Sequence, residues 1–308
     1  MAKTIGVILS ERVIAGLVVD HRLQGELCCF PANADNEYAL IELHTEGLIK
    51  AICGQVLAAR GAHDISAVGV ALPGLIKNGV VEEAPNLPQL KGARIAELLT
   101  AELHREGIDA PVNVVNDADG MAAGLAATQG KLDSMIRVWT LGIGIGFGRY
   151  PFAPGVWEGG HTVVTLDEKE TFCGCGGRGH IEGIMGHRAM RLRFLDMEPE
   201  EVFAEARNGN ERCRKFVRLW HNALAAGTAA SIHMSGPGKF FLSGFNARFL
   251  DMALLKTCLH EMVKMSPLQG YTLEIVEDNP EVRVLGAAVT AEQAVTYAHN
   301  NRPEPSYK

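Results

Sequence analysis

No apolar run in the 308-residue chain approaches the roughly 18 residues needed to cross a bilayer, so a membrane-spanning protein is not expected. Net basicity is missing as well. Lys and Arg together number 29 against 36 for Asp and Glu, a formal charge of -7, and nucleic acid is not expected as a partner. A compact disulfide framework is absent: the seven cysteines, Cys28, Cys29, Cys53, Cys173, Cys175, Cys213 and Cys258, are odd in number and scattered, which suits a cytoplasmic protein. No Pro-rich or Ser-rich linker divides the chain, and no low-complexity tract precedes the polar tail at 300–308. The first strand-like run begins at Thr4 and leaves no room ahead of it for a helix-turn-helix module, so a DNA-binding repressor is not expected.

What is present is an ordinary globular composition, 47% hydrophobic and 21% charged. At about 150 residues per domain the length suits two domains. Thr4 to Leu9, Val13 to Val19 and Glu26 to Phe30 read as a strand meander. An amphipathic helix is expected after Asn36, carrying Leu40, Leu43, Ile52, Val56 and Leu57, with Asn36 or Asp35 as its cap. A buried strand at Ala67 to Leu72, a helix at Ile95 to Arg105, a strand at Val112 to Val115 and a small-residue helix at Ala118 to Ala127 follow. Arg137 to Leu141, Gly146 to Tyr150 and His161 to Thr165 then read as a second meander, succeeded by helices and a strand at Phe240 to Ser243. This repetition predicts an α/β protein of two similar lobes, 1–120 and 121–308. Their cleft is the default small-molecule site, and the last helix, Val284 to Ala298, could pack back on the first lobe.

The strongest local signal is His161 followed by Cys173-Gly174-Cys175-Gly176-Gly177-Arg178-Gly179-His180. Two thiols and two imidazoles make a four-coordinate set that suits structural Zn(II), and the glycines let the chain fold tightly enough for them to meet. A glycine-rich surface loop with two free thiols is the alternative. The other five cysteines read as small buried hydrophobes.

Six blocks in order, Gly69-Val70-Ala71-Leu72-Pro73-Gly74, Pro85-Asn86-Leu87-Pro88, Asn116-Asp117-Ala118-Asp119, Leu141-Gly142-Ile143-Gly144-Ile145-Gly146, Glu158-Gly159-Gly160-His161 and the cysteine loop through Glu182, resemble the ROK family of bacterial sugar kinases and sugar-responsive repressors. The resemblance spans about residues 66 to 190. It implies a two-lobed actin/hexokinase-like fold, a duplicated ribonuclease H-like α/β unit, and a homodimer. It also implies that Asp117 is the general base, that Asn86, Asn116, Asp117, Glu158, His161 and Glu182 bind sugar, and that Gly142, Gly144, Gly146 and Gly244 lie against nucleotide. His161 would then serve both zinc and sugar, which fixes its tautomer. The zinc loop of the family usually carries one histidine and three cysteines, whereas the last ligand position here is His180. Read without the resemblance, Asp117 is an ordinary helix cap and the glycine loop a tight hairpin connection.

The departures fall on the nucleotide side. The family's Asp-x-Gly-Gly-Thr phosphate turn aligns here with Ile8-Leu9-Ser10-Glu11-Arg12, Ile143 stands where the second loop usually has Thr, and Ser243-Gly244 where Gly-Gly is usual. A carboxylate such as Glu11 about 4 Å from a phosphate charge costs ~4 kcal/mol at an effective dielectric near 20. Two functions remain open at this point: a kinase that transfers the γ-phosphoryl of ATP, with Mg(II), to a hexose or amino sugar, and a catalytically inactive, zinc-containing sugar-binding protein of the same fold.

Overall fold

Period-two alternation in the first strands decides what each sheet face meets. The computed structural model describes residues 3–33, 39–152, 155 and 157–300. In it β1 (Lys3–Leu9), β2 (Val13–Val19) and β3 (Arg22–Phe30) form an antiparallel meander. After α1 (Thr45–Arg60), β4 (Ala67–Leu72) pairs parallel to β1; a small hairpin of β5 (Leu75–Lys77) and β6 (Val80–Glu83) and then α2 (Ile95–Arg105) lead to β7 (Val112–Asn116), parallel to β4, which runs straight into α3 (Asp117–Thr128). The sheet order is β3-β2-β1-β4-β7. Ile5, Val7 and Leu9 share a core with Leu48, Ile52 and Val56 of α1 and Ile95 and Leu99 of α2.

The chain continues through β8 (Ile136–Leu141), β9 (Ile145–Tyr150), α4 (Ile181–Met185), α5 (His187–Arg193), α6 (Pro199–Arg207), α7 (Glu211–Ser235), β10 (Lys239–Ser243), α8 (Met252–Met262), β11 (Thr272–Ile275) and α9 (Pro280–Asn300). It divides into two compact units: Met1–Ser134 with Gly148–Val156 and Asn279–Lys308, and Met135–Phe147 with Trp157–Asp278. A break at 120/121 would cut α3, and the helix instead stays whole in the first unit. The second unit holds β11, β10, β8 and the start of β9, in that sheet order, with β10 parallel to both β8 and β11. Trp139, Trp220, Phe240, Leu224 and Leu259 lie in its core.

Two local expectations are corrected. The first long helix begins at Thr45, so Leu40 and Leu43 precede it; the expected cap, Asn36 or Asp35, lies outside the described residues. His161 to Thr165 is not a strand of a second meander. A 3-10 turn covers Gly159–His161, and beyond it the backbone bonds the cysteine loop, Val164 N–H to Gly179 O at 2.8 Å and Ile181 N–H to Thr162 O at 3.0 Å, leaving only an isolated bridge between Val163 and His180. No helix among the described residues is long and apolar enough to cross a membrane.

In the first unit α9 packs on α3, β1 and β4. Backbone meets backbone there. A Cβ on Gly6 would lie 1.9 Å from Val284 O, on Gly69 1.8 Å from Ala287 O, on Gly124 1.9 Å from Val282 O and on Gly286 1.7 Å from Gly120 O. Such approaches tolerate no side chain. Gly286→Ala is therefore expected to lower the unfolding free energy by about 3 kcal/mol, as overpacking does. Gly54→Ala, in α1 with open space around its Cβ position, should raise it by roughly 0.5–1 kcal/mol. Equal denaturation midpoints for the two variants would contradict this packing.

His221 is wholly buried in the second unit; its Nδ1 lies 2.8 Å from Val217 O, and its Nε2 accepts the Asp251 N–H at 2.9 Å, an arrangement only the neutral ring can make. Burial lowers its pKa, against smaller opposing effects of the Val217 hydrogen bond and the Asp251 charge. A histidine whose folded pKa is depressed adds stability that is fully present above the unfolded value of about 6.5 and is lost as pH falls below it. The stability gap between wild type and His221→Gln, measured by urea unfolding, should narrow from about pH 7.5 to about pH 5. A gap that stays constant with pH would rule this role out.

Candidate functional site

Parallel strands β1, β4 and β7 end on the same edge of the first unit's sheet, with Leu72 of β4 in register with Asn116 of β7. Ligands of α/β proteins gather at such carboxyl ends. Asn116 caps α3: its Oδ1 accepts the Ala118 N–H at 2.9 Å and its Nδ2 donates to Gly74 O at 2.9 Å. Its amide is thus engaged by the fold at both ends. Asp117 Oδ1 also accepts the Ala118 N–H, at 3.0 Å, where the dipole of α3 favours a carboxylate. Its Oδ2 pairs at 3.3 Å with Arg283 Nη2 from the first turn of α9. Two residues along, Asp119 is 7% exposed and accepts the Arg149 N–H at 3.0 Å. Burial pushes its pKa up to about 6, against the Arg149 hydrogen bond and charge, with the Asp117 charge pushing the same way as burial. Asn86 is exposed between β6 and the short 3-10 turn at Pro88–Leu90.

The turn between β1 and β2 sits on the same edge. Ile8 is 3% exposed and packs with Ala71, Val115, Val284 and Ala287, so the position that carries an acid in the family is apolar core here. Arg12 bonds two carbonyls at the end of β3, its Nε to Pro31 O at 2.9 Å and its Nη2 to Ala32 O at 2.8 Å. Ser10 N–H closes the turn on Arg12 O at 3.0 Å, and Glu11 is exposed.

In the second unit the cysteine loop gathers all four expected ligands. Cys175 Sγ lies 3.4 Å from Cys173 Sγ and 3.2 Å from His180 Nδ1, and the His161 and His180 rings stack with centroids 5.2 Å apart. Donor atoms of His161, Cys175 and His180 lie within 4.8 Å of one another, as do those of His161, Cys173 and Glu182. Two thiolates on a tetrahedral zinc with 2.3 Å bonds stand about 3.8 Å apart, close to the Cys173–Cys175 spacing, while Cys173 and His180 fall in different groups and would have to draw together for all four to hold one ion. Without metal, burial chiefly pushes the Cys173 thiol up to about 12, so ligation there displaces a proton. Beneath the loop, nearly buried Glu170 pairs with Arg193, whose guanidinium lies 4.3 Å from the Phe172 ring centroid.

Glu182 joins this cluster to the glycine loop. Its Oε1 lies 3.7 Å from Cys173 Sγ and 3.8 Å from His161 Nε2, while Oε2 accepts the Ile145 N–H at 3.0 Å. A Cβ on Gly144 would come within 2.6 Å of that same oxygen. Gly142 is held from the other side, its carbonyl accepting from His187 N–H and from Asn246 Nδ2, each at 3.0 Å. Ile143 at the tip is 62% exposed. Gly244 has φ of 91° and a Cβ there would meet Leu141 O at 2.5 Å, a structural reason for glycine that does not involve nucleotide. Gly146 lies within β9, and Glu158 is exposed just ahead of the 3-10 turn.

Three features had no local signal in the sequence. Arg283 reaches Asp117 from 166 residues away. Glu182 bonds the Ile145 amide across 37 positions. Asp119 could have been found as part of its motif, but its burial could not.

The sequence profile of the ROK family matches residues 41–293. A glucokinase of Pyrobaculum calidifontis is 30% identical over 198 residues, 59% of this chain and 63% of that protein. An N-acetylmannosamine kinase of Haemophilus influenzae is 31% identical over 195 residues, 58% of this chain and 62% of its own. The chain thus matches less than two thirds of the length of these relatives. Among solved structures, a ROK hexokinase from Thermus thermophilus aligns with a TM-score of 0.77 at 22% identity, covering 96% of this chain and 99% of that one. A ROK family glucokinase from Streptomyces griseus, in complex with glucose and AMPPNP, aligns at 0.61 and 23% identity, covering 95% and 100%. These likenesses carry the actin/hexokinase-like fold, and with the profile covering most of its length the chain belongs to the ROK family.

Proposed function

We propose that the protein is a carbohydrate kinase that transfers the γ-phosphoryl of ATP to a hydroxyl of a hexose or amino sugar. The observation that carries this reading is the carboxylate of Asp117 at the N-terminus of α3, on the carboxyl edge of the parallel strands. Asp117 accepts the proton of the acceptor hydroxyl as that oxygen bonds the phosphorus. Asn116 acts one step back, since its amide caps α3 and holds the Pro73-Gly74 turn. Asn86, Glu158, His161 and Glu182 are the further sugar contacts that family membership supports. On the nucleotide side Gly142, Gly144, Gly146 and Gly244 remain the assigned residues, with Mg(II), when bound, neutralising phosphate charge.

His161, Cys173, Cys175 and His180 are proposed to hold one structural zinc, which would tie the 3-10 turn to the cysteine loop. A homodimer in the cytoplasm is the proposed working form. The apolar packing of Ile8 and the tethering of Arg12 favour a second reading, a sugar-binding protein of the same fold without turnover.

Phosphoryl transfer from ATP to glucose and to N-acetylmannosamine separates the two. The kinase reading expects turnover by wild type, and Asp117→Asn should lower kcat by about a thousandfold with sugar affinity within about tenfold. Sugar binding in calorimetry with neither nucleotide binding nor transfer would overturn it in favour of the second reading. Elemental analysis of protein purified without chelator should find one zinc per chain, and Cys173→Ser should lose most of it with a fall in Tm. Wild-type protein free of zinc would sink the four-ligand assignment.

A further inference from the structure

Asp117 is held from both sides. Oδ1 accepts the Ala118 N–H at 3.0 Å, and Oδ2 meets Arg283 Nη2 at 3.3 Å, with the two side chains 26% and 18% exposed. One anchor is local to α3. The other comes from α9, whose segment around Arg283 is bracketed by two backbone contacts with α3, Val282 O against Gly124 and Gly286 against Gly120 O. Neither contact can slide without a clash, so the guanidinium is delivered to the carboxylate from a helix packed backbone to backbone on α3. A surface ion pair between long side chains lacks such support and contributes little.

We infer that Arg283 is a positioning residue for Asp117: it holds the carboxylate in the orientation in which it takes up the proton of the acceptor hydroxyl. The inference rests on the kinase reading above. Each carboxylate oxygen accepts more than one hydrogen bond, so Oδ2 can keep Arg283 while receiving the hydroxyl. In the transfer the O–H bond breaks and its proton passes to Asp117. The electron pair of that bond forms the new bond from oxygen to the γ-phosphorus, and the bond from that phosphorus to the β,γ-bridging oxygen breaks, its pair leaving with ADP. Arg283 gives up no proton; its role is to fix the acceptor of one. Because the orienting group lies on the rigid crossing and not on a loop, a small displacement of the base is prevented where it would cost most.

The test compares wild type with Arg283→Met and Arg283→Lys by steady-state kinetics, calorimetric sugar binding and thermal unfolding. Arg283→Met should lose about 100-fold in kcat, the size of effect expected for a misplaced base, while sugar Kd stays within about threefold. Arg283→Lys, and millimolar guanidinium added to Arg283→Met, should each restore part of the loss, which a merely destabilised fold would not show. An active wild type with an equally active Arg283→Met variant, or a loss that neither lysine nor guanidinium repairs, overturns this inference alone. A wild type that transfers phosphoryl to no sugar overturns the kinase reading and this inference with it.

Discussion

The contact on which the first unit depends brings backbone against backbone, with Val284 and Ala287 filling in beside it. α9 lies directly on Gly6 of β1 and Gly69 of β4, and it crosses α3 with its Gly286 against Gly120 O and its Val282 O against Gly124, so that at Gly6, Gly69, Gly124 and Gly286 a carbonyl stands where a Cβ would be. Such close approach brings many atoms to optimal dispersion distance at once, individually weak and collectively large. At those points it leaves no rotamer to adjust, so the position of α3 relative to the sheet is set by backbone contact with α9. The N-terminus of α3 therefore stands at one place on the carboxyl edge of β1, β4 and β7, and with it Asn116 and Asp117. A segment from the far end of the chain thus becomes part of the wall behind the proposed base.

The second unit uses a different device for the same end. Its cysteine loop has little apolar surface of its own, and it is held by backbone pairing with 162–165 and by the Glu170–Arg193 pair beneath it. Glu182 spans from the ligand cluster to the Ile145 amide, so loop and cluster share one carboxylate. The contrast with the β1–β2 turn is physical: there Ile8 faces inward to an apolar cluster and Arg12 is tied to two carbonyls, while Glu11 is exposed. The groups proposed for sugar and for nucleotide have therefore fared differently in the same chain.

Much of this was legible in residue order. The meander of β1 to β3, the buried strand β4, α2, and the passage from β7 into α3 follow from apolar alternation and helical periodicity, because those signals are local and strong. The zinc-type cluster was legible because Cys173, Cys175 and His180 are near neighbours in a glycine-rich stretch. The start of α1 was not, since Leu40 and Leu43 extend the apolar pattern past the point where the backbone turns helical. Nor was the fate of 161–165, whose β-like residues pair with a loop and not with a sheet. The β5–β6 hairpin and the edge strand β11 are too short to stand out. Arg283 was invisible for a simpler reason: nothing near it in sequence hints that its partner lies at the start of α3.

Amide hydrogen exchange on the intact chain, with and without a hexose that it binds, tests most directly whether the α3 N-terminus set against α9 is the carbohydrate site. The account predicts that added hexose slows exchange at residues 116–120 and 282–286 together, as one braced unit. Slowing confined to other parts of the chain, with these two segments unchanged, would contradict it.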